Sequence, residues 1–532
     1  MQAMTDSRNE RASSRAMAAV MQLSAESTSL VQYHSHGKVA VIGGGVAQEF
    51  AHRLTGNLSA QVILTDGAEE PGVQTIPVGN RDIRITGYLG NFRIVLGVEG
   101  RANYEEVAAD IILDLSDSPL LSMPLKPPGY FTCVSEEPDL TRVEGELKEL
   151  TGTFEKPKFF DFDPQICAHS RSGVTGCTRC IEACPADAIT SIAESIEINP
   201  YLCQGGGVCA SVCPTGAVRY VYPNVIDSLQ TIGTLLNSYH EAEGSNPVIA
   251  FIPATDTSVL ENRPANLLPV VVEELASVGM EIWLTTLAYG ANRVLLIDDG
   301  SLAASVSGFV NSQLETAGTI LRGLGYDSNS ICLADHQSLH QQCRIENNPG
   351  LHQFANYAGS LEKRRTVLQA IDHLYQQSTS AEDIIALPDQ SPFGRIHIDA
   401  NSCTLCMSCT SVCPSRAISA GNDRPAIEFH EINCVQCGIC ASACPERAIT
   451  LEPRLIADAE QRRGMTVLHE DTPFCCINCG KPFATQSLID TMTQKLAGHY
   501  MFKSERARRR LLMCEDCRVA DVVQDEDAMH TV

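Results

Sequence analysis

The chain has 532 residues, 44% of them apolar, so it is long enough for several domains and apolar enough to bury cores in most of them. Acidic residues outnumber basic ones by 64 to 39, a formal net charge of −25, which argues against the basic face that nucleic acid demands. The 23 cysteines are odd in number and stand mostly in metal-type spacings, which argues against a disulfide framework and for a reducing, cytoplasmic setting, and no stretch is apolar enough to span a bilayer.

Residues 1–35 contain arginines but no sustained apolar run, so they are expected to be a disordered lead or a short amphipathic helix, not a signal peptide. Residues 36–130 open with GKVAVIGGGVAQEFAHRL, a buried strand, a glycine turn and an amphipathic helix, and a second strand, AQVILTD, ends at Asp66. This order resembles the dinucleotide-binding fold and implies a Rossmann-like domain. Gly43 and Gly45 match the first two glycines of that fingerprint, and Asp66 stands where a ribose-binding acid would. Gln48 occupies the third small position and departs from it. The plain alternative is a degenerate domain without nucleotide, and NAD(P) or flavin is not expected there. ITGYLGNFRIVLGV and ADIILDLS read as further strands.

Residues 131–225 carry two cysteine runs, Cys167-x9-Cys177-x2-Cys180-x3-Cys184-Pro185 and Cys203-Gln-Gly-Gly-Gly-Val-Cys209-x3-Cys213-Pro214. Residues 396–455 carry two more, Cys403-x2-Cys406-x2-Cys409-x3-Cys413-Pro414 and Cys434-x2-Cys437-x2-Cys440-x3-Cys444-Pro445. The tails ACPADAIT, VCPTGAVRY, VCPSRAIS and ACPERAIT repeat as well. The later pair resembles the bacterial ferredoxin pattern, in which the first three cysteines of a run hold one iron–sulfur cube and the fourth ligates the other. One [4Fe–4S] cluster is therefore expected on Cys403, Cys406, Cys409 and Cys444, and another on Cys434, Cys437, Cys440 and Cys413. In the earlier pair, Cys167, Cys177, Cys180 and Cys213 keep four thiolates, whereas Cys203, Cys209 and Cys184 keep three, because Gly206 stands where the second cysteine belongs. That last site is expected to hold a [3Fe–4S] cluster or an open-cornered [4Fe–4S] cluster. Cys133 reads as a packed thiol.

Residues 246–345 read as α/β, with strands in NPVIAFIP and RVLLIDDG and helices in LLPVVVEELASVG and VNSQLETAGTILRGLG. With its GANRVLLIDDG and ILRGLGYDSNSICL segments, this stretch resembles the delta-subunit module of methyl-viologen-reducing hydrogenases. That family carries a cysteine-bound [2Fe–2S] cluster near segments that here read FIPATD and LTTLAYG, without cysteine, so the insert is expected to be structural. Cys332 and Cys343 read as core or surface thiols. Residues 346–395 read as a helical connector around YAGSLEKRRTVLQAIDHLYQQ. Residues 456–532 hold Cys476-x2-Cys479-Gly480 and Cys514-x2-Cys517, two knuckles that suit a four-cysteine zinc site. A fifth [4Fe–4S] cluster using Cys475 is the rival. KSERARRR reads as a solvated helix end or a docking patch.

The expected fold is thus α/β plus α+β and multidomain: a Rossmann-like N-terminal domain, two ferredoxin-like modules, an α/β insert and a zinc-ribbon-like C-terminal segment. The whole resembles polyferredoxin iron–sulfur proteins of the kind associated with molybdenum- or tungsten-dependent formate dehydrogenases. That resemblance implies a cytoplasmic relay of single electrons between a redox enzyme and an acceptor, with redox proteins as partners. The expected cofactors are three [4Fe–4S] clusters, the altered fourth cluster and one zinc. No Ser/His/Asp, paired-carboxylate or P-loop constellation stands out, so no substrate chemistry of its own is expected. An NAD(P)- or flavin-linked oxidoreductase subunit and an assembly factor for a metalloenzyme are the alternatives.

Overall fold

The computed structural model describes residues 2–23, 28–101, 103–133, 140–298, 300, 302–345, 353–422 and 424–525. The N-terminal unit is built on strand Lys38–Gly43, whose Val39–Ile42 run is wholly buried. It lies parallel between Ser59–Leu64 and Ile111–Asp114, with Gln74–Pro77 and Tyr130–Thr132 at the edges of a five-stranded sheet. The strands are apolar on both faces because both are covered. Helices Gly45–Arg53 and Leu140–Glu149 cover one face through Phe50 and Leu147. An antiparallel sheet of Ile83–Thr86, Phe92–Leu96 and Glu105–Ala109 covers the other through Phe92 and Ile94. The boundary expected at residue 130 therefore falls inside this unit, since strand Tyr130–Thr132 and helix Leu140–Glu149 complete it.

Of the two expectations for the opening residues, a disordered lead or a short amphipathic helix, the structure shows a helix, at residues 2–20. Helix Gln2–Val20 lies along helix Val225–Glu241 with Ala12 and Ala16, four apart, fully buried. Asn9 accepts a hydrogen bond from the Ser245 amide at 2.9 Å. Small alanines allow close backbone approach, so this face docks without the apolar stripe by which a sequence reading finds amphipathic helices. Strand Leu30–Ser35 then pairs antiparallel with Gly152–Pro157.

The α/β insert is a parallel sheet of Val248–Pro253, Leu267–Val272, Arg293–Ile297 and Ile331–Ala334, with Leu267–Val272 at one edge. LLPVVVEELASVG is thus a strand followed by a 3-10 turn, not a helix. Pro269 disfavours helix for Leu268, and Val270–Val272 are β-branched. Helix Met280–Ala288 is buried along its whole length, with Trp283 at its centre. Helix Lys363–Gln377 packs on it through Ala370, Ile371 and Leu374, so it belongs to the core of the insert and is not a free connector.

The second cysteine-rich module also exceeds its expected bounds. Ile384–Ala386 and Gly394–Ile398 flank Ile449–Ile456, and Met465–Glu470 adds a strand to Ala426–His430 beyond residue 455. Burying Ile427 and Phe429 requires that extra cover. The C-terminal segment is a small hairpin, Pro473–Cys475 with Pro482–Thr485, followed by helices Gln486–Leu496, Glu505–Arg510 and Glu515–Val523. Among the described residues no helix is long and apolar enough to cross a membrane.

Candidate metal centres

The four cysteine runs share one backbone plan. The cysteine at the third ligand position of each, Cys180, Cys209, Cys409 and Cys440, sits in the first turn of a helix of four or five residues. The residue three positions after the last cysteine is left-handed in every run: Asp187, Gly216, Arg416 and Arg447, at φ 47°, 75°, 53° and 52°. Ahead of the helix, Leu405 and Met407 (φ 52° and 61°) match Gln436 and Gly438 (φ 53° and 79°). Leucine and methionine hold this conformation at a cost, which a loop bears when its backbone N–H groups must turn toward one anionic centre.

Amides and hydroxyls reach the sulfurs directly. Ala188 N–H donates to Cys184 Sγ, and Ala448 N–H to Cys444 Sγ, both at 3.4 Å. Thr215 Oγ1 lies 3.6 Å from Cys213 Sγ, and Ser415 Oγ 3.7 Å from Cys413 Sγ. Such donors favour thiolate charge and tune a bound cluster.

The thiol at the third ligand position of each expected group interacts first with the cysteines expected to share its cluster, which come from both runs of its module. Burial pushes Cys180 up, and Cys213, Cys177 and Cys167 add to it. Burial pushes Cys209 well up, followed by Cys203, Cys184 and Cys180. Cys409 is pushed to about 12 by burial, then by Cys403, Cys406 and Cys444. Cys440 is raised by burial, then by Cys437, Cys434, Cys413 and Cys409. Each group would hold an iron–sulfur cluster through four, or in one case three, cysteines, which give up their protons when they bind metal.

The stretched gap after Cys167 is filled by a short hairpin, Ser170–Arg171 with Val174–Thr175. His169 is buried beneath it. Its Nδ1–H donates to the Cys177 carbonyl at 3.0 Å, and its Nε2 lies 2.7 Å from Ser191 Oγ. Nothing in the cysteine spacing pointed to this histidine.

Around Gly206 the loop keeps the plan of the intact runs. Gly205 and Gly207 are left-handed, at φ 85° and 69°, as Leu405 and Met407 are. A Cβ at Gly205 would meet the Phe159 ring at 2.9 Å, and one at Gly207 would collide with Ser277. A Cβ at Gly206 would meet nothing within 4 Å. The ligand position therefore survives as open space without a thiol.

At the C-terminus the sulfurs of Cys476, Cys479, Cys514 and Cys517 all lie within 4.8 Å of one another, and Cys479 and Cys514 are 3.7 Å apart. Tetrahedral zinc with bonds of about 2.3 Å spaces its sulfurs about 3.8 Å apart. Burial opposes ionisation of Cys476, but amides of Cys479, Cys514 and Asn478 outweigh it and pull the thiol down to about 6. Cys475 is exposed and lies outside the group. Part of the basic run is structural: Arg506 and Arg510 reach Asp521 at 3.2 and 2.6 Å and fasten the last two helices together.

The glycine turn of the N-terminal sheet departs from the dinucleotide fingerprint at Gln48. Asp66 places its carboxylate beside Gly44, where a Cβ would collide with it. Gln48 is buried and ties down the following loop, donating to Ala68 O at 2.9 Å and accepting from Glu70 N at 2.8 Å. Gly45 has open space, but the close-packing third glycine is missing. Cys133, Cys332 and Cys343 pack in hydrophobic cores.

Residues 153–217 and 402–449 each match a family described as a 4Fe-4S dicluster domain. The chain is also similar to hydrogenase-4 component A of Escherichia coli (strain K12), 24% identical over 155 residues that cover 28% of this chain and 73% of that protein. Two dicluster domains mean about four iron–sulfur clusters, and the protein is an iron–sulfur electron-transfer protein.

Proposed function

We propose that the chain is a four-cluster electron relay, in the order Cys203 group, Cys177 group, Cys437 group, Cys403 group. The observation that carries the order is the junction between modules. Cys437 is pushed to about 11 by burial, then by Cys434 and Cys413 of its own group, and then by Cys177 of the other module. At the same junction a Cβ on Gly176 would lie 3.2 Å from Ile439 Cβ. Within each module, Cys209 feels Cys180 and Cys440 feels Cys409, which extends the path to both ends. The likeness to a hydrogenase component supports a redox enzyme as donor or acceptor. The polyferredoxin resemblance makes a formate dehydrogenase the first partner to test, and the cysteine usage supports a cytoplasmic setting. The Cys203 group holds a [3Fe–4S] cluster in this reading. The residues at Gly43, Gly45 and Asp66 bind no nucleotide, and the N-terminal unit and the insert serve as scaffold.

Protein purified without oxygen should carry about 15 irons, three cubes and one three-iron cluster. Dithionite should reduce it to a state whose EPR signals are broadened by coupling between clusters. Clusters that accept no electron would replace the relay with an assembly role.

The same reading assigns one structural zinc to Cys476, Cys479, Cys514 and Cys517. Cys514→Ser in the full chain should lower zinc from one per chain to near zero, leave iron unchanged and expose the C-terminal helices to protease. Loss of iron and sulfide from that variant would decide for a fifth cluster.

A further inference from the structure

Helix Lys363–Gln377 begins with two cations, Lys363 and Arg364, followed by Arg365. Positive charge at a helix N-terminus opposes the macrodipole, so these residues are not there to stabilise the helix. They point to opposite modules. Lys363 Nζ donates to the carbonyls of Ala210, at 2.7 Å, and Ser211, between Cys209 and Cys213 of the first module. It also lies 3.7 Å from Glu281 Oε2. Arg364 donates to Ile432 O at 2.6 Å, Pro392 O at 2.7 Å and Cys434 O at 2.8 Å, and its guanidinium stacks 4.8 Å from the centre of the Phe393 ring. All three acceptors are neutral carbonyls. A cation enclosed this way calls for a nearby anion, and Arg364 sits against the backbone of Cys434, an expected cluster ligand.

We propose that Arg364 is a positioning residue that sets the reduction potential of the cluster on Cys434, Cys437, Cys440 and Cys413, and so biases electron transfer across the module junction. The proposal rests on the relay reading above. Adding one electron makes a cluster more negative, and a fixed cation in a medium of low dielectric stabilises the reduced form and raises its potential. The first module repeats the device: Lys156 Nζ donates to Cys203 O at 2.5 Å, the carbonyl equivalent to that of Cys434. Arg364 therefore makes the first cluster of the second module an electron sink at the junction, with Lys363 fixing the spacing from the first module.

The test is a potentiometric EPR titration of full-length protein, with iron and sulfide assayed alongside. In Arg364→Gln, one cluster of the second module should fall in potential by about 59 mV or more, a tenfold loss in its one-electron equilibrium constant. Iron content and the first-module potentials should hold. Arg364→Lys keeps the charge and should restore most of the potential even if Arg364→Gln loses iron. Full iron with unchanged potentials in Arg364→Gln, or a fall in Arg364→Lys as large as in Arg364→Gln, overturns the proposal. Wild-type clusters that cannot be reduced would instead overturn the relay itself.

Discussion

Cys413→Ser should strip iron from the cluster of Cys434, Cys437 and Cys440 and leave the cluster nearer in sequence, on Cys403, Cys406 and Cys409, intact. The reason is the crossing of the runs. Cys413 acts on Cys434, Cys437 and Cys440, whereas the fourth thiol acting on Cys409 is Cys444. Serine places a hydroxyl where thiolate is needed and turns one cube into a three-thiolate site. The expected loss is at least one iron and up to about four per chain, read by iron analysis and by disappearance of one reduced-cluster EPR signal. The relay would be cut at the cluster that meets the first module, so reduction of the Cys403 group through the first module should slow by orders of magnitude. Iron loss confined to the Cys403 group would overturn the crossed assignment.

Gly206→Cys should convert a three-iron centre into a cube. The wild-type protein, oxidised and free of oxygen damage, should show the S = 1/2 signal of a [3Fe–4S] cluster. The variant should lose that signal and gain one iron per chain. The structure favours the substitution: Gly206 is not left-handed and has open space at its Cβ, while its neighbours Gly205 and Gly207 hold the left-handed loop. The new thiol would join Cys203, Cys209 and Cys184 without rebuilding the backbone. Filling the fourth corner should also lower the potential of that cluster, because a fourth thiolate adds negative charge. A wild-type protein that lacks the signal and already carries iron for four full cubes would assign an open-cornered cube in place of the three-iron cluster.

The cysteine grammar made most of the candidate centres legible. The spacing of Cys403 to Cys444 pointed to the ligand loops, and its resemblance to the bacterial ferredoxin pattern implied the crossing. The glycine at position 206 stood out only against the three better-preserved runs. The four-cysteine C-terminal group was readable as two knuckles, and their wide separation called for the helical segments that fill it, Gln486–Leu496 and Glu505–Arg510. What escaped sequence reading lies in small or polar contacts. The alanine face of Gln2–Val20 gives too weak an apolar signal, Leu267–Val272 has an apolar run that suits helix or strand, and His169 has no motif around it.

The amino-acid sequence by itself determined which thiols could share iron, because ligand type and loop spacing are local properties and repeat along the chain. Only the tertiary structure decided how the two modules meet. Cys177 and Cys437 are far apart in sequence and neighbours in space because Ile439 packs against the Gly176 turn. Helix Lys363–Gln377 holds Ala210 on one side and Cys434 on the other. Contacts of that kind depend on the packing of three separate units around a shared core, and no periodicity or spacing within any one of them encodes where the others will dock.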